Sequence, residues 1–278
     1  MNKLSPERKA EVLKVLCEGN SIRSTARITN TAINTVVTIL KQAGAACLEY
    51  QDKCLRNLAT QRIECDEIWS FCYAKEKNLP PEKKGRFGFG DIWTFVALDA
   101  DSKLVVSWLL GLREPWYAYE FVKDIKERVR NRIQLSTDGH HMYFQAVEDT
   151  FGHDIDFGQI IKFYSSAHDA NGHYIPPRCT HVKTKSVTGD PDMAKVSTSY
   201  VERQNLTMRM NMRRLTRLTN AFSKKLENHM YALALYFMHY NFVKTHRTLA
   251  NPYPRTPAMV AGISDHIWSF REIAGLIP

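Results

Sequence analysis

Along the first fifty residues, apolar positions recur at three-to-four spacing, the mark of helices buried on one face. In SPERKAEVLKVLCEG, Val12, Leu13 and Leu16 fall on one side, with Ser5 as N-cap and Pro6 at the first helical position, and the pattern ends near Gly19. A turn at Gly19-Asn20 leads to a short second helix, SIRSTARIT, capped by Ser21. A third, NTAINTVVTILKQAG, aligns Ile33, Val36, Val37 and Leu40 and is expected to stop at Gly44. Short helices across a tight polar turn, with the third presenting Thr31, Asn34 and Thr35 near its start, predict a helix-turn-helix over 1–47. A generic three-helix bundle would show the same pattern. Residues 48–62 read as a linker helix.

The period then shortens. RIECDEIWSFCYA is rich in β-branched and aromatic residues, KEKNLPPEKKGRFGFG is a charged Pro/Gly loop, and DIWTFVALDADSKLVVSWLLG reads as two strands joined at Asp99-Ala100-Asp101-Ser102. An amphipathic helix (PWYAYEFVKDIKERVRN), a buried strand (RIQLSTDG), a helix (HHMYFQAVEDTFG) and another strand (IDFGQIIKFY) follow. Three consecutive strands, then strand-helix alternation, predict an α/β fold: a mixed sheet with flanking helices. Residues 165–198 carry turn signals without periodicity and are expected to form a long loop. From Tyr200 the chain reads as helical through YALALYFMHYNFV, until KTHRTLANPYPRTP breaks it. The expected organisation is a helix-turn-helix unit (1–47), a linker helix (48–62), an α/β unit (63–220) and a helical extension (221–278).

Composition narrows the function classes. No segment reaches the ~18 uninterrupted apolar residues of a membrane span, and the charged start MNKLSPERKAEV is unlike a secretory leader, so a cytoplasmic protein is expected. The six cysteines form no CxxC pair and are read as reduced thiols. Lys and Arg total 38 against 29 Asp and Glu, a net charge of +9 that favours a polyanionic partner, although a solvated basic surface gives the same balance.

Three acids stand at suggestive places. Asp66 lies inside the strand IECDEIWSF, where an ionised side chain is costly unless paired or bound to metal. Asp138 ends the strand IQLSTDG, and the strand order allows the first and fourth strands to be neighbours, side by side at these two residues. Two close carboxylates repel unless a cation intervenes. Glu202 opens a basic stretch: from Arg203 through Lys225 there are seven Lys and Arg and no Asp or Glu. It can supply a third oxygen to Mg²⁺, while Asn205, Arg209 and Arg213 share its face at helical spacing and can hold a phosphate backbone. Each acid also has an ordinary reading: Asp138-Gly139 as a turn, Glu202 as a partner of the helix dipole, Asp66 as a paired structural acid. His140 and His141 follow Asp138 and could touch phosphate. His168, His173, Cys179 and His181 are zinc-ligand types without a defensible spacing.

CDEIWSFCYAK, LSTDG and STSYVERQNLTMRMNMRRLTRLTNAFSKK, the last with its specific block YVERQNLTMRM, resemble bacterial insertion-sequence transposases of the IS-one family. These are acidic-triad (DDE) enzymes with a ribonuclease H-like core, and the resemblance covers nearly the whole chain. It implies that Asp66, Asp138 and Glu202 form the catalytic triad and hold two Mg²⁺ ions, or Mn²⁺ in their place. It implies cutting at the element's ends and attack of the freed 3′-hydroxyl on target DNA. The N-terminal helices would read the terminal inverted repeats of double-stranded DNA through Arg23, Arg27, Asn34 and Thr35. Arg203, Arg209, Arg213 and Arg217 would hold the backbone, with His140 and Asn205 supporting the triad. A homo-oligomer on DNA and a nucleoid location follow from two ends being handled together. Some relatives carry an N-terminal zinc module whose cysteine pairs this chain lacks. Two other classes compete: a silent DNA-binding regulator, which need not keep three carboxylates, and a ribonuclease H-like nuclease, which would cut without joining.

Overall fold

A computed structural model describes residues 4–165, 175–216 and 219–278. The chain opens with α1 (Pro6–Cys17) and α2 (Ile22–Ile28), each started by a serine: Ser5 Oγ accepts the Arg8 amide at 3.3 Å and Ser21 Oγ that of Ser24 at 3.1 Å. Val12 and Leu13 are fully buried, as their spacing predicts.

The third helix departs from expectation. α3 (Ile33–Cys54) does not stop at Gly44 but runs through it, absorbing the first part of the expected linker helix. Thr31 precedes it, and Ala32 is its uncapped start. Gly44 is a point of close approach: a Cβ there would stand 2.4 Å from Cβ of Tyr231, on a later helix that crosses α3. A glycine that ends a helix and one that admits a neighbouring helix look alike in sequence.

The sheet has six strands in the order β3-β2-β1-β4-β5-β6. They are β1 (Arg62–Cys72), β2 (Gly90–Asp99), β3 (Val105–Gly111), β4 (Gln134–Asp138), β5 (Asp156–Tyr164) and β6 (Cys179–Thr188). β1, β2 and β3 form an antiparallel meander, β4 and β5 run parallel to β1, and β6 returns antiparallel on β5. Helices α4 (Pro115–Arg128) and α5 (Met142–Phe151) alternate with β4 and β5. This is the mixed α/β sheet with flanking helices that the element order predicts, preceded by the small helical unit.

Two corrections concern the second half of the chain. The expected loop at 165–198 contains β6, which is exposed along nearly its whole length. With neither face buried, CTHVKTKSVT has no burial alternation to betray a strand, and Lys183 and Lys185 guard the open edge. The expected continuous helix from Tyr200 is instead two separate helices, α6 (Ser199–Asn211) and α7 (Leu226–Met238), the second ending in a turn of π-helix at His239–Val243. Two short helices close the chain, α8 (Pro257–Val260) and α9 (Phe270–Gly275). Residues 222–223 leave the helical path to pair with the end of β1: the Tyr73 amide donates to the Ser223 carbonyl at 2.8 Å.

α7 links the two halves. It packs on α3 at Gly44, and its buried His229 sits between Ser70 Oγ of β1 (3.1 Å) and Ser223 Oγ (3.3 Å). One apolar cluster accordingly joins Val12, Val36 and Cys47 of the N-terminal helices to Leu233 and Phe237 of α7 and to Ile63 and Val96 of the sheet.

Gly44→Ala is expected to lower stability by about 1–3 kcal/mol, because backbone rather than a flexible side-chain end blocks the added methyl. A urea midpoint equal to that of wild type would refute the close crossing. Burial drives the His229 imidazole down to about 3. A depressed histidine stabilises fully above its unfolded value near 6.5 and loses that contribution as the pH falls toward 3, with a limiting slope of about 1.4 kcal/mol per pH unit. Urea titrations between pH 7 and 4 should show a shallower decline for His229→Gln than for wild type.

Candidate active site at the end of β4

The parallel register pairs Arg62 with Gln134, Ile63 with Leu135 and Glu64 with Ser136, a constant offset that places Asp66 level with Asp138 two residues on. β4 ends there while β1 runs on to Cys72, so among the described residues no strand covers the flank of β1 beyond Asp138. At this flank the carboxylate oxygens of Asp66, Glu67 and Asp138 lie within 4.8 Å of one another. All donors are oxygen and all are acidic, a set that could hold a divalent cation.

Alternation along β1 divides its acids between two faces. Glu64 and Asp66 point toward α6. Buried Glu64 accepts the amides of Tyr200 at 2.8 Å and Val201 at 3.1 Å, in the first turn of α6, satisfying donors that a helix start leaves open. Asp66 accepts a bond of 2.8 Å from Nδ2 of Asn205, two turns into the same helix. Glu67 points the other way, where it accepts from the Tyr143 hydroxyl of α5 and pairs with Arg113 at 3.1 Å. Arg113 also lies 3.8 Å from Asp138, whose Oδ1 accepts the His140 amide at 3.0 Å.

The crowding is visible in the acids' affinities for protons. Burial, reinforced by Asp138 and Glu202, pushes Asp66 up to about 6 against the bond from Asn205. Burial also lifts Glu67, up to about 7, with Asp138 and Asp66 adding to it and Tyr143 and Arg113 opposing. The His140 ring is lowered, first by burial and then by Arg113.

Of the three acids singled out from sequence, Asp66 and Asp138 meet and Glu202 stands beside them. Glu202 occupies the first turn of α6, its Oε1 accepting from Thr198 Oγ1 at 2.6 Å and from Lys162 of β5. It is close enough to raise Asp66 but lies outside the cluster of three. Asn205 touches Asp66 as its helical spacing from Glu202 suggests. The basic row behind Glu202 is shorter than expected because α6 ends at Asn211. Arg203 is exposed, Arg209 turns back to the Leu215 carbonyl at 3.0 Å, exposed Arg213 lies beyond the helix, and Arg217 falls outside the described residues. In the N-terminal helices Arg23, Arg27 and Asn34 are exposed, and Thr35 is half-buried. Of the His/Cys group, Cys179 is exposed on β6 and His181 stacks on Phe163 at 4.0 Å, while His168 and His173 lie outside the described residues.

Sequence reasoning missed Glu64, Glu67, Arg113, Tyr143 and Lys162. The run IECDEIW does place three acids in one strand, and period two would have paired Glu64 with Asp66. Nothing in the sequence ties Arg113 or Tyr143 to Glu67.

No protein-family model and no curated protein matches the chain. Among solved structures it is similar to the piggyBac transposase of a synaptic complex with hairpin DNA, at 10% identity and a TM-score of 0.46, over 100% of this chain and 71% of that one. The Mos1 strand transfer complex gives 15% identity and a TM-score of 0.23 over 54% of this chain and 57% of that one. The Mos1 mariner paired-end complex with Mn gives 12%, 0.21, 54% and 59%. Superpositions this loose assign no role to any residue here. Among the described residues no helix is long and apolar enough to cross a membrane.

Glu64→Ala removes the acceptor for two amides and is expected to cost about 1–2 kcal/mol, with faster hydrogen exchange at Tyr200 and Val201 and little change elsewhere in α6. Unchanged exchange at those two amides would mean that Glu64 does not hold the helix start.

Proposed function

We propose that this chain is a DNA transposase of the acidic-triad kind, which cuts at the ends of its own element and joins the freed 3′-hydroxyl to target DNA. The observation that carries the reading is the meeting of Asp66 and Asp138 at the end of β4, with α6 docked over them by Asn205. Such a cluster at a strand end is a poor structural choice. It gains sense where a cation and a phosphate are to be held.

The residues fit a hard divalent cation, Mg²⁺ or Mn²⁺. Every donor is a carboxylate oxygen, burial with Asp138 and Glu202 nearby pushes Asp66 up to about 6, and the buried Oδ1 of Asn205 has no hydrogen-bond partner among the described residues. Asp66, Asp138 and Glu202 would hold the ion or ion pair. When bound, it would sharpen the attacking oxygen and neutralise charge on the leaving oxygen of a phosphodiester. The chain's own contributions are positional. Asn205 fixes the carboxylate plane of Asp66, Lys162 and Thr198 hold Glu202, and the His140 amide orients Asp138. Exposed Arg203 and Arg213 offer guanidinium groups to the backbone, Arg209 stiffens the turn after α6, and Arg217 belongs to the same basic stretch. Arg23, Arg27, Asn34 and Thr35 on the helix-turn-helix would read the inverted repeats. Two ends joined together call for more than one copy of the chain on DNA.

The test is a strand-transfer assay with Mg²⁺ on DNA carrying the element's ends. Asp66→Ala, Asp138→Ala and Glu202→Ala are each expected to bind those ends and to lose joining by more than about a hundred-fold, since ion-held charge stabilisation is worth several kcal/mol. Glu67→Gln, on the opposite face and already paired with Arg113, is expected to retain more activity than Glu202→Ala. Cutting without joining would make the chain a nuclease. Binding without cutting would make it a regulator, and either result ends the transposase reading.

A further inference from the structure

The sheet register sets Gly111, Trp93 and Trp69 in one row across β3, β2 and β1. Trp69 and Phe71 follow Glu67 at steps of two, so the row lies on the face of β1 that carries Glu67, beginning about 7 Å along the strand from it. Deeper on this face α4 covers the sheet, with Phe121 against Phe95 at 5.5 Å. Both tryptophans remain partly exposed. At the Gly111 end a Cβ would meet the Tyr117 ring at 2.1 Å, and exposed Phe87 stacks on Tyr117 at 5.9 Å. At the other end Trp69 neighbours Phe71 at 5.7 Å, and Phe71 neighbours Phe222 at 5.0 Å.

Cations are interleaved with the rings. The Arg113 guanidinium lies 4.7 Å over Trp93, and Lys75 Nζ lies 5.7 Å over Trp69 and 6.0 Å over Phe71. Beyond Phe71 the shelf opens into a cleft between α2, α3 and residues 219–228 that Arg23, Lys75, Arg213 and Lys224 line without an Asp or Glu among its described lining residues. The rim near Trp69 does carry acids, Glu76 and Asp91, but against Lys75, Lys77 and Lys84.

A duplex keeps its base faces inside the stack and offers a protein mainly phosphates and groove edges. Flat, half-exposed rings flanked by cations suit bases that have left the stack, whose faces they can cover while the cations take the phosphates. We propose that this shelf binds a single-stranded stretch of DNA, with bases on Trp93 and Trp69 and phosphates drawn toward Arg113, Lys75 and the cleft. That the strand is the one presented to Asp66 and Asp138 rests on the proposed function; the binding site itself does not.

The test is fluorescence anisotropy of a short labelled oligothymidylate, and of a duplex of equal length, at one fixed salt concentration. Trp69→Ala and Trp93→Ala are each expected to weaken oligothymidylate binding about ten-fold or more and to leave duplex binding unchanged. Trp93→Phe should restore most of the affinity. Thermal melts identify any alanine variant that has failed to fold, in which case the Trp69→Phe and Trp93→Phe pair against Lys75→Ala decides the question in folded protein. Equal affinity of wild type and folded alanine variants for oligothymidylate would overturn the proposal, as would a parallel loss of single-strand and duplex binding. If wild type binds oligothymidylate through the tryptophans but joins no DNA ends, the shelf stands and the transposase reading falls.

Discussion

Like charges forced together on a buried strand are the constraint around which this molecule is built. Glu64, Asp66 and Glu67 lie within four residues of β1, and Asp138 meets the last two from β4. Leaving any of them unpaired away from water would cost several kcal/mol. The fold answers with a separate donor for each: the α6 amides for Glu64, Asn205 for Asp66, Tyr143 and Arg113 for Glu67, and the His140 amide for Asp138. The placements of α6 and α5 and the path of the chain after β3 are therefore tied to the same handful of acids.

The two faces of β1 solve the problem differently. On the Glu67 face Arg113 and a phenol supply charge and a hydrogen bond to a carboxylate whose side chain is 1% exposed, yet burial still lifts it up to about 7. On the Asp66 face it is incomplete, since a neutral amide is the one direct side-chain donor and Asp66 is still pushed up to about 6. Burial leaves both acids raised, and what differs between the faces is the partner: a guanidinium and a phenol for Glu67, a neutral amide for Asp66. Asp66 is set apart from Glu67 by a partner that adds no charge, not by its affinity for protons, which is raised in both.

How much of this was legible in the sequence follows from which interactions are local. The strands β1 to β5 and the helices between them follow from periodicity, and from strand order came the adjacency of Asp66 and Asp138. Asn205 was reachable because helical spacing from Glu202 is a local rule. Gly44, β6 and the break after Asn211 were not, since each is decided by something distant: Tyr231 pressing on α3, an edge with no buried face, and residues 222–223 captured by the end of β1. Arg113 and Tyr143 belong to the same group. They reach Glu67 only because β3 and α5 are brought to one end of the sheet, and no spacing rule spans that distance.

The charge distribution closes the physical case. A chain with net charge +9 attracts a polyanion, yet the cluster of Asp66, Glu67 and Asp138 repels a phosphate at close range. Attraction must therefore come from the periphery, where Arg23, Arg27, Arg203, Arg213 and Lys224 are exposed, and the centre must acquire positive charge before a phosphate can rest there. Under the proposed function, affinity and chemistry would rest on different residues, and each could be removed without the other. The protein gains a further constraint from this arrangement: α7, held by Gly44 on one side and by His229 between Ser70 and Ser223 on the other, fixes the distance from the peripheral cations of the N-terminal helices to the acids of β1. Under the proposed function, a polyanion gripped by those cations would reach the acids at a set distance, as a site acting at a fixed distance from a recognised sequence requires.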